Sequence, residues 1–184
     1  MTKVFDKEYI AHRKHVAAHE SAHALAAVIT DSYFTSLKIP PLRPSAKKRK
    51  NPLKFEDVFG IDCDGSTGVY SFNRGIDHFL TLVGWAFEEL EGADGGLGDL
   101  ARFEDDKEIS ADEAQTLKRL ALDFVKEFHD ELWASSETVL HLVKSDGTLS
   151  QRRLGIFKQN LQELIDKKST RDWRQEAINA CGFA

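Results

Sequence analysis

Apolar residues recur at helical spacing over residues 6–29. Tyr9, Ile10, Val16, Leu25 and Val28 supply contacts there, and Ala17, Ala18, Ala22 and Ala24 leave room for close packing. The period then shortens to two. Residues 34–39 read as a strand stopped by Pro40-Pro41, and residues 65–72 resume strand character through Thr67, Val69, Tyr70 and Phe72. These strands are expected to pair as a hairpin whose connection, residues 40–64, carries a basic insertion (Arg43, Lys47, Lys48, Arg49, Lys50, Lys54). Helical spacing returns over residues 76–91, with Ile76, Phe79, Leu80, Val83, Phe87 and Leu90 on one face.

Gly92, Gly95, Gly96 and Gly98 mark a turn, after which a short helix is expected near Asp99. Ser110-Ala111-Asp112-Glu113 has the form of a capping box. It opens a long helix with Leu117, Leu120, Phe124, Phe128, Leu132, Val139 and Val143 at spacings of three and four, ended by a turn at Asp146-Gly147. Ser150 is expected to cap a further helix carrying Leu154, Phe157, Leu161 and Leu164, and Thr170 a last one with Trp173 and Ile178. Phe124, Phe128, Trp133 and Phe157 are expected in the core. The sum is an α+β fold, mainly α: one domain over 1–184 with a small β-hairpin or sheet, a helical bundle completing it, and residues 166–184 as a C-terminal helical extension.

Composition narrows the function classes. A formal net charge of −5 disfavours a protein built to grip phosphates, and a short basic run in such a chain reads as a solvated loop; nucleic acid is an unlikely partner class. The cysteines, Cys63 and Cys181, form no C-x-x-C pair, which fits a reducing cytoplasmic setting and inert thiols. The first residues lack an apolar segment of signal-peptide type, and the longest apolar run, residues 24–29, is too short for a bilayer. No membrane association is expected.

The chemistry concentrates in His19-Glu20-Ser21-Ala22-His23, an H-E-x-x-H on the first helix. Residues four apart leave the same helix face, so both imidazoles can clasp one Zn2+, while Glu20 stands beside it as a general base for an activated water. Ala26 and Ile29 occupy the places where a metzincin would need glycine and histidine, so the third ligand must come from elsewhere. Carboxylates near the glycine turn are the source: Glu88, Glu89, Glu91, Asp94 and Asp99. Asp99 is preferred, because glycines allow close backbone approach and a helix start fixes a carboxylate's direction; its bland reading is a helix N-cap. Glu88 is the reserve ligand, or else a hydrogen-bond partner of a ligand imidazole, whereas Glu89 and Glu91 read as a solvated helix end. His12 and His15 extend the histidine stripe and read as solvated.

Several segments resemble one family. The stretch from His19 to Leu25 is similar to the H-E-A-G-H-A segment of FtsH-type peptidase domains. Val83-Gly84-Trp85-Ala86-Phe87-Glu88-Glu89-Leu90 resembles that family's G-G-R-x-A-E-E-L helix, and Gly98-Asp99-Leu100 its turn ending in N-D-L. Residues 132–154 are similar to its closing helices. The resemblance implies Asp99 as third zinc ligand and a substrate aligned along the strand at residues 67–72. Ala22 and Trp85 depart from the pattern, as does the insertion after Ile39, and no G-x-x-x-x-G-K-[ST] loop occurs. The expectation is an ATP-independent zinc metallopeptidase acting on peptides or unfolded protein, with a separate ATPase or adaptor as a further conceivable partner. Two other readings stand beside it: a dedicated regulatory protease of the ImmA type, and a hydrolytically silent, zinc-stabilised interaction module.

Overall fold

The first helix forms the axis around which the rest packs. The computed structural model describes residues 7–41, 65–93, 95–168 and 171–182. Helix α1 (Lys7–Ile29) is followed by strands β1 (Tyr33–Lys38) and β2 (Ser66–Tyr70). Helices α2 (Arg74–Glu91), α3 (Leu97–Glu104), α4 (Ala111–Leu142), α5 (Gln151–Lys168) and α6 (Trp173–Ala180) complete the described residues. The fold is thus mainly helical with one small antiparallel sheet.

Every residue of α1 from Glu20 to Ala27 is buried. Its alanines let α2 and α4 approach closely on two sides, with α5 and the sheet covering the rest. The start of α1 is tied to the end of β1: Tyr9 Oη donates to the Pro41 carbonyl at 2.6 Å and Arg13 Nε to that of Pro40 at 2.7 Å. The proline pair that ends the strand therefore still supplies acceptors. Ile10, expected as a contact, is instead 43% exposed.

The sheet pairs Tyr33 with Tyr70 and Lys38 with Ser66, with a bulge between Phe34 and Ser36. The hairpin connection expected to hold the basic insertion falls almost wholly outside the described residues, as do Cys63 and Asp94. The other edge of β1 meets the Asp146-Gly147 turn, where Ile39 N donates to Gly147 O at 2.9 Å. Gly147 has φ +84°, and a Cβ there would collide with the Ile39 carbonyl, so the turn admits only glycine.

Helix boundaries follow their caps. Asn73 accepts from Ile76 N and starts α2 two residues before the expected position; Gly92, in the left-handed region, ends it. The capping box at Ser110 is fully formed. Asp172, rather than Thr170, caps α6 through Gln175 N; Thr170 lies outside the described residues. The core holds Phe79, Phe124, Phe128 and Trp173, with ring centroids 5.3 Å apart for Phe79–Phe124 and 5.2 Å for Phe124–Trp173. Phe157 is buried as expected. Trp133 is only half-buried: its ring covers Phe87 at the margin of the core while Nε1 reaches Glu91 at 3.4 Å. No helix among the described residues is long and apolar enough to cross a membrane.

Candidate metal centre

The H-E-x-x-H segment lies where α1 passes from a partly solvated to a buried environment, facing α2 and the start of α3. His19 and His23 project from successive turns, and their Nε2 atoms stand 3.3 Å apart. Asp99, in the first turn of α3, places Oδ2 3.2 Å from His19 Nε2 and 3.3 Å from His23 Nε2. Gly96, not Asp99, is the N-cap of α3, so the Asp99 carboxylate is not used for capping. The structure therefore brings His19, His23 and Asp99 together.

Their geometry fits a small tetrahedral cation. Donors at about 2.0 Å from a common centre in a tetrahedron lie about 3.3 Å from one another. The protonation pattern fits as well. His23 Nδ1 lies 2.7 Å from the Leu80 carbonyl, which can only accept, and His19 Nδ1 lies 2.8 Å from Glu88 Oε1. In the neutral rings both Nε2 atoms are then bare lone pairs aimed at one point, with a carboxylate oxygen as the third. Asp99 Oδ2 is fully buried, and among the described residues no hydrogen-bonding group but the two imidazoles stands against it. Three convergent acceptors repel one another unless a positive charge sits between them.

Without an ion, a proton shared with His19 supplies that positive charge. Burial alone would lower the His19 imidazole, yet Asp99, Glu88 and Glu20 push it up to about 10. Burial would raise the Asp99 carboxyl, but the imidazoles of His19 and His23 hold it well below the usual carboxylate range. Nitrogen and carboxylate donors in a set of three match zinc, with a fourth position left for water or substrate.

Gly84 on α2 forms the wall of the site. A Cβ built on it would fall among the three donors, 2.7 Å from His19 Nε2 and nearer still to His23 Nε2 and Asp99 Oδ2. The missing side chain at Gly84 is the space an ion would use. In the sequence Gly84 stands out only as part of the segment similar to the FtsH-type helix; its role depends on how α1, α2 and α3 cross.

Glu20 lines the same cleft, about 500 Å³ in volume, and is 4% exposed. Burial pushes its carboxyl up, against the pull of His19 and His23. Thr67 on β2 donates its hydroxyl to Glu20 Oε2 at 2.7 Å. Gly65, just before β2, lets the strand close over that carboxylate, since a Cβ there would stand 2.7 Å from Glu20 Cγ. Thr67 was legible only as a strand residue. Removing its hydroxyl with Thr67→Val should cost about 1–2 kcal/mol, because the shape is kept while a buried carboxylate loses its donor. Urea unfolding of the two proteins measures it.

Glu88 is not brought to the donor set. Both its oxygens bond imidazoles, Oε1 to His19 Nδ1 and Oε2 to His15 Nε2, each at 2.8 Å. Of the two readings of Glu88, this placement is that of a hydrogen-bond partner of an imidazole, since α2 directs it at the rear of His19. Burial raises the Glu88 carboxyl, but His15 and His19 outweigh it and hold it down at about 2. His15 is therefore no solvated histidine. Glu89 and Glu91 are both exposed as expected, and Glu91 also accepts from His129 at 2.6 Å. No family model, no curated protein and no solved structure matches the chain.

Proposed function

We propose that this chain is a zinc-dependent peptidase of the FtsH type that cleaves peptides or unfolded chains by zinc-activated water. The observation that carries the reading is the convergence of His19 Nε2, His23 Nε2 and Asp99 Oδ2 at 3.2–3.3 Å, with a buried glutamate lining the same cleft. His19, His23 and Asp99 would hold the ion. Bound there, zinc supplies Lewis acidity that makes a water nucleophilic near neutral pH and polarises a carbonyl. Glu20 serves as the proton acceptor and returns the proton to the leaving amine. Its burial favours the protonated form and so brings its basicity closer to neutral pH than that of an exposed glutamate. Thr67 restrains Glu20 from the β2 side.

Ser66, Thr67 and Val69 of β2 line the cleft, and β2 pairs with β1 alone among the described strands. Its second edge supports main-chain pairing with an extended substrate. A cytoplasmic setting is part of the proposal, on the two cysteines of the sequence, which lie far apart in no C-x-x-C pair.

Metal analysis combined with casein or peptide-library hydrolysis tests the reading. About one zinc per chain is expected. A chelator should suppress cleavage, and added zinc should restore it. Bound zinc with no cleavage of any unfolded substrate would replace the peptidase with a hydrolytically silent, zinc-stabilised interaction module.

A further inference from the structure

His15 stands one turn before His19 on the same side of α1, and neither the ligand set nor the proton transfer uses it. Its Nε2 lies 2.8 Å from Glu88 Oε2, and His19 Nδ1 lies 2.8 Å from Glu88 Oε1. The carboxylate between them is 3% exposed. Gly95 closes over it, since a Cβ there would stand 3.0 Å from each oxygen. The His15 ring is itself held by Phe87 and Trp133, with centroids 5.4 and 5.9 Å away.

A carboxylate turns easily about its terminal torsion, which has broad, roughly two-fold preferences. One bond to His19 would leave Glu88 free to rock. A second bond, from a donor one turn away on the same helix, fixes the carboxylate plane. That plane in turn fixes the rotation of the His19 ring and the direction of its Nε2 lone pair. The partner of a metal-binding histidine commonly orients the ring and governs affinity. Here that partner needs a partner of its own.

The geometry points to His15 as a positioning residue for the metal centre: acting through Glu88, it sets the orientation in which His19 presents Nε2 to the ion. The inference rests on the metal-binding part of the function proposed above and not on peptide hydrolysis.

Zinc dissociation constants, measured by competition with a chromophoric chelator at one pH, test it together with the absorption spectrum of the Co2+-loaded protein. His15→Phe keeps an aromatic ring against Phe87 and Trp133 but has no N–H to donate, whereas His15→Gln carries an amide N–H that can reach Glu88. His15→Phe is expected to weaken zinc binding about 10-fold and shift the Co2+ bands, and His15→Gln to recover most of the loss. In a Glu88→Leu background, where neither imidazole has a partner at this position, His15→Phe should add little, because the route to His19 is already broken. Zinc affinity unchanged in His15→Phe would overturn the assignment. So would His15→Gln performing no better than His15→Phe, or an undiminished effect of His15→Phe in the Glu88→Leu background. An unaltered protein that binds no zinc would sink both this inference and the metal site. The expected zinc pattern without any cleavage would sink the peptidase reading alone.

Discussion

If zinc sits where the three donors converge, a Gly84→Ala protein should fail to hold it. The added methyl group would occupy the point at which His19 Nε2, His23 Nε2 and Asp99 Oδ2 converge, within bonding rather than contact distance of two of them. The donors cannot retreat freely. His23 is pinned to the Leu80 carbonyl and His19 to Glu88, and Asp99 sits in the first turn of a helix packed on α2. The loss should therefore exceed the roughly 10- to 100-fold that follows from disturbing a ligand's hydrogen-bond partner. Alanine is a better helix former than glycine by about 1 kcal/mol, so the α2 backbone should tolerate the change. Metal analysis after dialysis against limited zinc, with circular dichroism to verify helicity, reads the result. Zinc retained at the unaltered level in folded Gly84→Ala would place the ion elsewhere.

Glu20→Gln should have the opposite profile: zinc kept, cleavage lost. The amide matches the carboxylate in shape, and its carbonyl oxygen can still accept from Thr67, so neither the packing of α1 nor the two imidazoles need move. It cannot take up a proton at neutral pH. Loss of a general base typically costs about 10²- to 10⁴-fold in rate, and the effect should fall on kcat more than on KM. Single-turnover cleavage of a fluorogenic peptide, run beside metal analysis of the same sample, separates the two properties. Undiminished cleavage by a zinc-loaded Glu20→Gln protein would remove Glu20 from its assigned role and leave the donor cluster unaffected.

These two substitutions differ in how visible they were in the chain. Glu20 is adjacent to His19 in an i, i+4 pattern whose geometry is local, so helix periodicity alone relates it to the two histidines. Gly84 is 61 residues from His23, and a helical glycine carries no signal of what stands opposite it. Asp99 falls between these cases. The glycines before it announced a close approach without naming the target, and a carboxylate near a helix start is as readily a cap as a ligand. Gly96 takes the cap position, which leaves the aspartate for the histidines.

Local rules also misjudged residues whose environment is made by distant segments. His15 looked solvated because helical spacing says which residues share a face, not what covers that face. Glu88 and Phe87 on α2 and Trp133 on α4 meet its ring. Glu91 stays exposed as a solvated helix end should, and only its bond to His129 on α4 was beyond a local reading. Trp133 follows the apolar spacing of α4 and still lies at the margin of the core, since periodicity gives direction but not depth.

The chain by itself determined the elements, because their signals act over a few residues: the alanine-lined first helix, the capping box at Ser110, the Asp146-Gly147 turn and the alternation of the strands. It also determined that two imidazoles and a glutamate would share one stretch of helix. Only the tertiary structure decided that Asp99 rather than Glu88 completes the donor cluster, that Gly84 leaves the gap and that Thr67 holds Glu20. The reason is distance. A three-donor site with edges of 3.2–3.3 Å depends on how three separate helices cross, and small shifts at a helix crossing are invisible to any rule of sequence spacing.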